Sequence, residues 1–147
     1  MKNFQLTALV LFLLIITSNA ALSQTASFKE LTQKTLQSYS DRGYSLVNHT
    51  QGKISLAEPL VGQEVNLDYK TYYIVLVQLD GCLYCSYQLY YVDKDNNLIP
   101  VNYEVFVDNN LKQLIYKFTS DKNTEGKFVV LLDSDLNYFG NLFVFKK

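Results

Sequence analysis

Tyr72 to Asp93 constrains the fold more tightly than any other stretch of the chain. Tyr72 to Leu79 is apolar at odd and even positions alike apart from Gln78, the pattern of a strand covered on both faces. Tyr87 to Val92 reads as a second such strand, with the turn signal Asp80-Gly81 between them. These two strands are the best candidates for the centre of a sheet. Both cysteines, Cys82 and Cys85, fall in the break. Residues three apart in an extended strand have Cα atoms about 10 Å apart, whereas a disulfide needs them within about 7 Å. If the pair is bonded, the chain must turn between the cysteines. The bridge is then a local clamp worth roughly 2 kcal/mol at most.

The same two-residue period runs through everything after Gly43. Tyr44 to Val47 and Ile54 to Ala57 flank the turn-prone Asn48 to Lys53, and Pro59 bars continuation as a central strand. Val65 and Leu67 alternate with polar residues, and Val101, Tyr103, Val105 and Val107 alternate with Asn102, Glu104 and Phe106. Leu111 to Phe118, Phe128 to Leu132 and Leu142 to Phe145 complete eight or nine short strands, with turn formers at Asp93 to Asn97, Asp108 to Asn110, Ser120 to Lys127 and Asp133 to Gly140. Twelve tyrosines and nine phenylalanines suit half-buried pleated surfaces, where aromatic cross-strand pairs stabilise the sheet. The expected fold is mainly β, an antiparallel sandwich or jelly-roll-like domain over residues 44–147.

One short amphipathic helix is expected ahead of it, within residues 24–43. Ser27-Phe28-Lys29-Glu30 fits the capping box. Phe28, Leu31, Leu36 and Tyr39 share one side of the helical wheel, and Gly43 supplies a stop. A helix this short is marginal alone and must dock on something.

Residues 1–23 have the layout of a secretory signal peptide: Lys2, an apolar run from Leu9 to Ile16, then small residues permitting cleavage after Ala20 or Ser23. The apolar run is about half the roughly 20 residues that span a bilayer. The mature chain of about 125 residues is one domain by length, with no membrane attachment after cleavage. Loss of Lys2 moves the formal charge from −1 to −2 with no basic block, so no nucleic-acid partner is expected. Export places Cys82 and Cys85 where disulfides persist.

A redox Cys-x-x-Cys needs a thiol acidified by a helix N-terminus or a neighbouring cation, and the sequence around Cys82 and Cys85 supplies Asp80 and a following strand instead. Structural zinc wants four ligands, which two cysteines and the distant His49 do not provide. His49, beside a turn, reads as a solvated surface residue. Asn48-His49-Thr50 is a glycosylation sequon. Asp93, Asp95 and Asn97 have the spacing of the first calcium-loop ligands, with Glu104 at the twelfth position. Leu98 stands where the sharp turn needs glycine. Asp133, Asp135 and Asn137 repeat half of that spacing. Ordinary Asx-rich turns explain both loops more simply; calcium is the weaker reading, and no other cofactor is expected. Catalytic motifs of the nucleophile-elbow, phosphate-loop and histidine-glutamate metal kinds do not occur.

From Leu60 onward the order of features resembles the bacterial pre-peptidase C-terminal domain and its small exported relatives. The matching pieces are Leu60-x-Gly62, Tyr72-Tyr73-Ile74-Val75, the cysteine pair before Tyr87 and Leu89, the acidic turn at Asp93 to Asn97, and Gly126 to Val130 before Phe139-Gly140. Ser86 and Gln88 stand where such domains often carry aspartates, and Asn96 or Asn97 where a turn glycine is expected. The resemblance implies a jelly-roll-like sandwich without catalytic residues, an accessory, binding or targeting module.

The function expected from the sequence is therefore an exported non-catalytic binding module for a surface glycan or a protein. Tyr84, Tyr87 and Tyr90 are the candidate ligand platform, because a tyrosine presents an apolar ring with a polar tip. Alternatives are a thiol-disulfide or metal-binding protein using Cys82 and Cys85, and a small hydrolase. Mass spectrometry of the exported protein is expected to show an N-terminus after Ala20 or Ser23 and a mass two hydrogens below that of the dithiol. An uncleaved N-terminus would remove the export reading.

Overall fold

The computed structural model describes residues 28–108 and 111–147. The expected signal peptide, the Ser27 cap and the Asn109-Asn110 turn lie outside the described residues. The chain divides into two compact units between Ser38 and Tyr39.

A helix, α1, covers residues 28–41. Glu30 and Lys34 pair at 2.7 Å with the glutamate N-terminal, the better orientation. The expected stop is where the sequence places it. Gly43 N–H donates to Ser40 O at 2.9 Å and Tyr44 N–H to Tyr39 O at 3.0 Å, the two bonds of a Schellman motif. The accompanying side-chain contact is the edge-on pair Tyr39–Tyr44, 5.7 Å between centroids, and Tyr39 also stacks on Phe145 at 4.3 Å.

The second unit, from Tyr39, holds ten strands: β1 Ser45–Ile54, β2 Leu60–Val61, β3 Val65–Leu67, β4 Tyr72–Asp80, β5 Ser86–Asp93, β6 Leu98–Pro100, β7 Glu104–Asp108, β8 Leu111–Thr119, β9 Thr124–Asp133 and β10 Tyr138–Lys146. They form two antiparallel sheets, the sandwich expected from the sequence. Sheet one runs β1-β10-β4-β8-β7 and sheet two runs β2-β9-β5-β6, with β3 beside β2 along β9. The layers meet over Ile54, Val75, Val77, Leu79, Leu89, Leu114, Phe128, Val130 and Leu142, all buried.

β4 is the central strand of sheet one and is buried at every position from Tyr73 to Leu79. Tyr73, Val75, Val77 and Leu79 face the layer between the sheets. Ile74, Leu76 and Gln78 face outward and are buried as well. The hydroxyl of Tyr73, in the interior, accepts the Asp68 N–H at 2.8 Å, so its polar tip is satisfied. Gln78, the one polar residue in the run, accepts from Asn141 Nδ2 at 3.3 Å.

Three elements differ from the expectation drawn from sequence. Asn48 to Lys53 is not a turn: it pairs in register with β10 from Asn48↔Val144 to Lys53↔Phe139, within one ten-residue strand. The chain turns instead at Ser55 to Glu58, where Ser55 N–H donates to Glu58 O at 2.9 Å. Ladder bonds to β10 outweigh the weak local turn preference of Asn and Gly. β5 is interior to its sheet but exposes Ser86 and Gln88, so one face is open at its start, while Leu89 and Val92 on opposite faces are both buried. Only the second half of the alternating run Val101 to Val107 is strand, in β7 of sheet one, while residues 101–103 are a link from β6 (Leu98–Pro100) in sheet two.

Gly126 lies on β9 opposite Asp93 and Val65. A Cβ there would stand 2.4 Å from Val92 O and 2.5 Å from the Tyr91 ring, so only glycine lets that ring lie over the strand. Gly126→Ala is expected to destabilise the fold by about 1–3 kcal/mol through overpacking, read by denaturant unfolding. An unchanged midpoint would show that both the Val92 carbonyl and the Tyr91 ring give way at no cost.

Candidate functional site

The Asp80 to Cys85 break turns as the cysteine spacing requires. Gly81 takes a φ of 74°, in the left-handed region that favours glycine. Cys82 and Cys85 are paired as a disulfide with Cα atoms 5.6 Å apart. The loop carries the chain from sheet one to sheet two, and with the acidic turn it marks the two ends of β5.

Lys112 lies beneath this loop, and its importance could not be read from the sequence. On β8 it sits two and four residues from Leu114 and Tyr116, which face the core, so it too points between the sheets. It is 8% exposed. Its ammonium donates to Cys85 O at 3.4 Å and stands 4.5 Å from the centre of the Tyr87 ring. Desolvation holds its pKa below the ordinary lysine value. The cation is directed at a carbonyl and a ring face, both of which stabilise charge without a carboxylate.

The three candidate tyrosines do not converge. Tyr84 projects from the loop at 99% exposure. Tyr87 faces the core under Lys112 and packs with Tyr103 at 5.8 Å, with burial raising the pKa of both hydroxyls. Tyr90 lies three positions on from Tyr87, hence on the opposite face of β5, with its hydroxyl bonded to Gln88.

The acidic turn is an Asx turn. Asp93 Oδ1 accepts from Asp95 N–H and Asn97 N–H, each at 2.9 Å, and Oδ2 accepts from Asn97 Nδ2 at 3.0 Å. These bonds, led by those from Asn97, hold the Asp93 carboxyl below its ordinary pKa. Asn96 takes the left-handed conformation at φ 63°, which asparagine tolerates. Glu104 is in the other sheet and pairs with Lys117 at 3.3 Å, so Asp93, Asp95, Asn97 and Glu104 form no single cage. Ser134 O accepts Leu56 N–H and Ser134 Oγ accepts Leu136 N–H, closing the second acidic loop as a turn. Among the described residues no group of three or more His, Cys, Asp or Glu is arranged to hold a metal ion.

His49 is not a solvated residue. Its ring stacks on Phe143 at 4.4 Å, and Nε2 bonds Asn141 Oδ1 at 3.0 Å. Asn48 donates to Gln63 O at 3.2 Å, and the Thr50 hydroxyl is buried. The sequon therefore lies within a paired strand rather than in an open loop.

An aromatic-walled cleft of about 360 Å³ lies between the sheets. Tyr116 and Phe118 of β8 form one wall, and Tyr91 and Phe128 form the other. The rings brace one another: Tyr116–Phe118 at 4.8 Å, Tyr91–Phe128 at 5.3 Å and Phe118–Phe128 at 6.2 Å. Tyr91 Oη lies 3.4 Å from Thr124 Oγ1, and desolvation raises the Tyr116 pKa. Asp121 and Lys122 stand exposed at the rim. Leu67, Lys122 and Thr124 are shared with a polar hollow of about 570 Å³, which Asp68, Lys94 and Glu125 also line. Sequence pattern placed Tyr91 and Phe118 in strands, but nothing in it paired residues 25 or more positions apart across two layers.

No protein-family model matches this chain, and no curated protein matches it.

A lysine whose pKa is depressed on folding makes stability rise with pH through the interval between the depressed and ordinary values, because the unfolded chain there binds more protons. Lys112→Met keeps the stem and removes the charge. Thermal unfolding at neutral pH is expected to show equal or greater stability for this variant, with the advantage shrinking toward the ordinary lysine range. A large loss at neutral pH would make the ammonium contacts net stabilising.

Proposed function

We propose that this chain is an exported, non-catalytic β-sandwich binding module that takes a sugar residue of a surface glycan into the inter-sheet cleft. The observation that carries this reading is the adjacency of an aromatic cleft to a polar hollow with a shared border at Leu67, Lys122 and Thr124. A pyranose has an apolar C–H face and a hydroxylated edge, so it matches a site with ring walls and a hydroxyl, carboxylate and ammonium rim. Pockets of roughly 300–1,000 Å³ with mainly apolar walls and a few directed polar groups are the usual form of small-ligand sites. The hollow offers room for the next residue of a chain, where amide, carboxylate and ammonium groups meet hydroxyls.

Export rests on the signal-like residues 1–23 and on a cysteine pair that suits an oxidising compartment. No helix of the described residues is long and apolar enough to cross a membrane.

The chain has no tryptophan, so its emission is the summed signal of its tyrosines, to which Tyr91 and Tyr116 of the cleft contribute. Titration with a panel of oligosaccharides is expected to quench it saturably for at least one glycan class. Asp121→Ala and Lys122→Ala, both at exposed positions, should weaken that binding by about 3–10-fold each without shifting the melting temperature. Binding that ignores both substitutions, or no binding across the panel, would sink the reading.

A further inference from the structure

We propose that the Cys82–Cys85 disulfide is an exchange site for small thiols, in which an external thiolate attacks Cys85 Sγ and the buried Cys82 leaves. The inference does not rest on the glycan reading.

Read from the sequence, this pair lacked the cation that redox use of a cysteine requires. The fold supplies one from another strand. Lys112 on β8 stands opposite Leu79 near the end of β4, and its ammonium lies 3.4 Å from Cys85 O. Among the described residues it pairs with no carboxylate. Burial disfavours its charged form, so a thiolate forming beside it is stabilised and in turn restores the lysine charge. The cysteine Cα atoms are 5.6 Å apart, which keeps both sulfurs within range of one poorly hydrated cation.

The two sulfurs differ in access. Cys82 is 1% exposed, whereas Cys85 is partly exposed and packs against the core on its other side. Attack therefore falls on Cys85, and its partial cover favours a small thiol. Opening the bond leaves the turn standing. Asp80 pairs with Phe139 and Leu111, and Ser86 with Asp133, so ladder bonds hold both feet of the loop. Cys85 Sγ lies 3.2 Å from Cys82 O, where the thiol of the reduced pair donates across the same turn. The bridge closes a short loop and contributes little stability.

In the first step the incoming sulfur bonds to Cys85 Sγ, the Cys82–Cys85 bond breaks, and the electron pair leaves on Cys82 Sγ, which takes a proton from water. A second external thiolate attacks the incoming sulfur of this mixed disulfide and releases Cys85 as a thiolate. Two external thiols become one disulfide, and the two electrons they lose reduce the cysteine pair to a dithiol. Reoxidation is the reverse reaction with an external disulfide.

The test uses the full chain carrying Cys82→Ser or Cys85→Ser, incubated with glutathione disulfide and followed by mass spectrometry. Cys85 in the first variant is expected to gain one glutathione about tenfold faster than Cys82 in the second. Adding Lys112→Met to Cys82→Ser should slow the gain by about threefold at neutral pH, because the smaller thiolate fraction is only partly offset by the greater nucleophilicity of a more basic sulfur. In urea sufficient to unfold all three variants the rates should converge. The unsubstituted pair should be reduced by dithiothreitol under native conditions, with circular dichroism showing that the sandwich persists. Labelling of Cys82 as fast as Cys85, no effect of Lys112→Met, rates that stay apart in urea, or reduction that requires unfolding would overturn the proposal.

Discussion

The structure of the second unit depends on β4. Its nine residues pair with β10 on one side and β8 on the other, and both of its faces are buried. A strand in that position must be apolar at every residue or else pair each polar atom, because an unsatisfied buried group costs about 1–3 kcal/mol. Tyr73 and Gln78 meet the condition through Asp68 N–H and Asn141 Nδ2. Asn141 in turn bonds His49, so one glutamine in a hydrophobic run organises a polar row across three strands of sheet one.

The turn at the end of β4 dictates where the chain goes next. Residues 81–85 could have closed a hairpin, but they deliver β5 to the opposite layer instead. The disulfide clamps that crossing locally. Lys112 fills the space beneath it, with its ammonium against the Cys85 carbonyl and the Tyr87 ring. A cation in a sandwich interior is a cost, and here backbone oxygen and ring face offset it in place of an acid.

The two layers are unequal at the side where β6 and β7 lie. β8 offers nine residues of inner and outer face, while β6 covers only three positions of β5. The rings of Tyr116 and Phe118 therefore line an open cleft rather than a closed core. Gly126 permits the opposite wall, because the absence of a Cβ leaves room for the Tyr91 ring. Cleft and exposed edge thus share one origin, the shortness of sheet two on that side.

Much of this was legible in the sequence, for reasons that can be named. A run without alternation, Tyr72 to Leu79, identified the doubly buried strand, and Gly43 identified the helix stop. The Cα limit of a disulfide required the turn at Cys82 and Cys85, and turn formers marked Asp93 to Asn97. These are local properties, set by side-chain period and backbone preference. The path of β1 through Asn48 to Lys53, the half-exposure of β5 and the passage of the chain from sheet two to sheet one at residues 101–103 were decided by pairing between strands rather than by local pattern. So were the candidate sites. Tyr84, Tyr87 and Tyr90 are close in sequence yet point in different directions, whereas Tyr91, Tyr116, Phe118 and Phe128 meet only because two sheets pack face to face. The sequence by itself determined the fold class and its central strand, since periodicity needs only neighbours. The tertiary structure alone decided which aromatic rings meet and which edge stays open, because both depend on where the second layer ends.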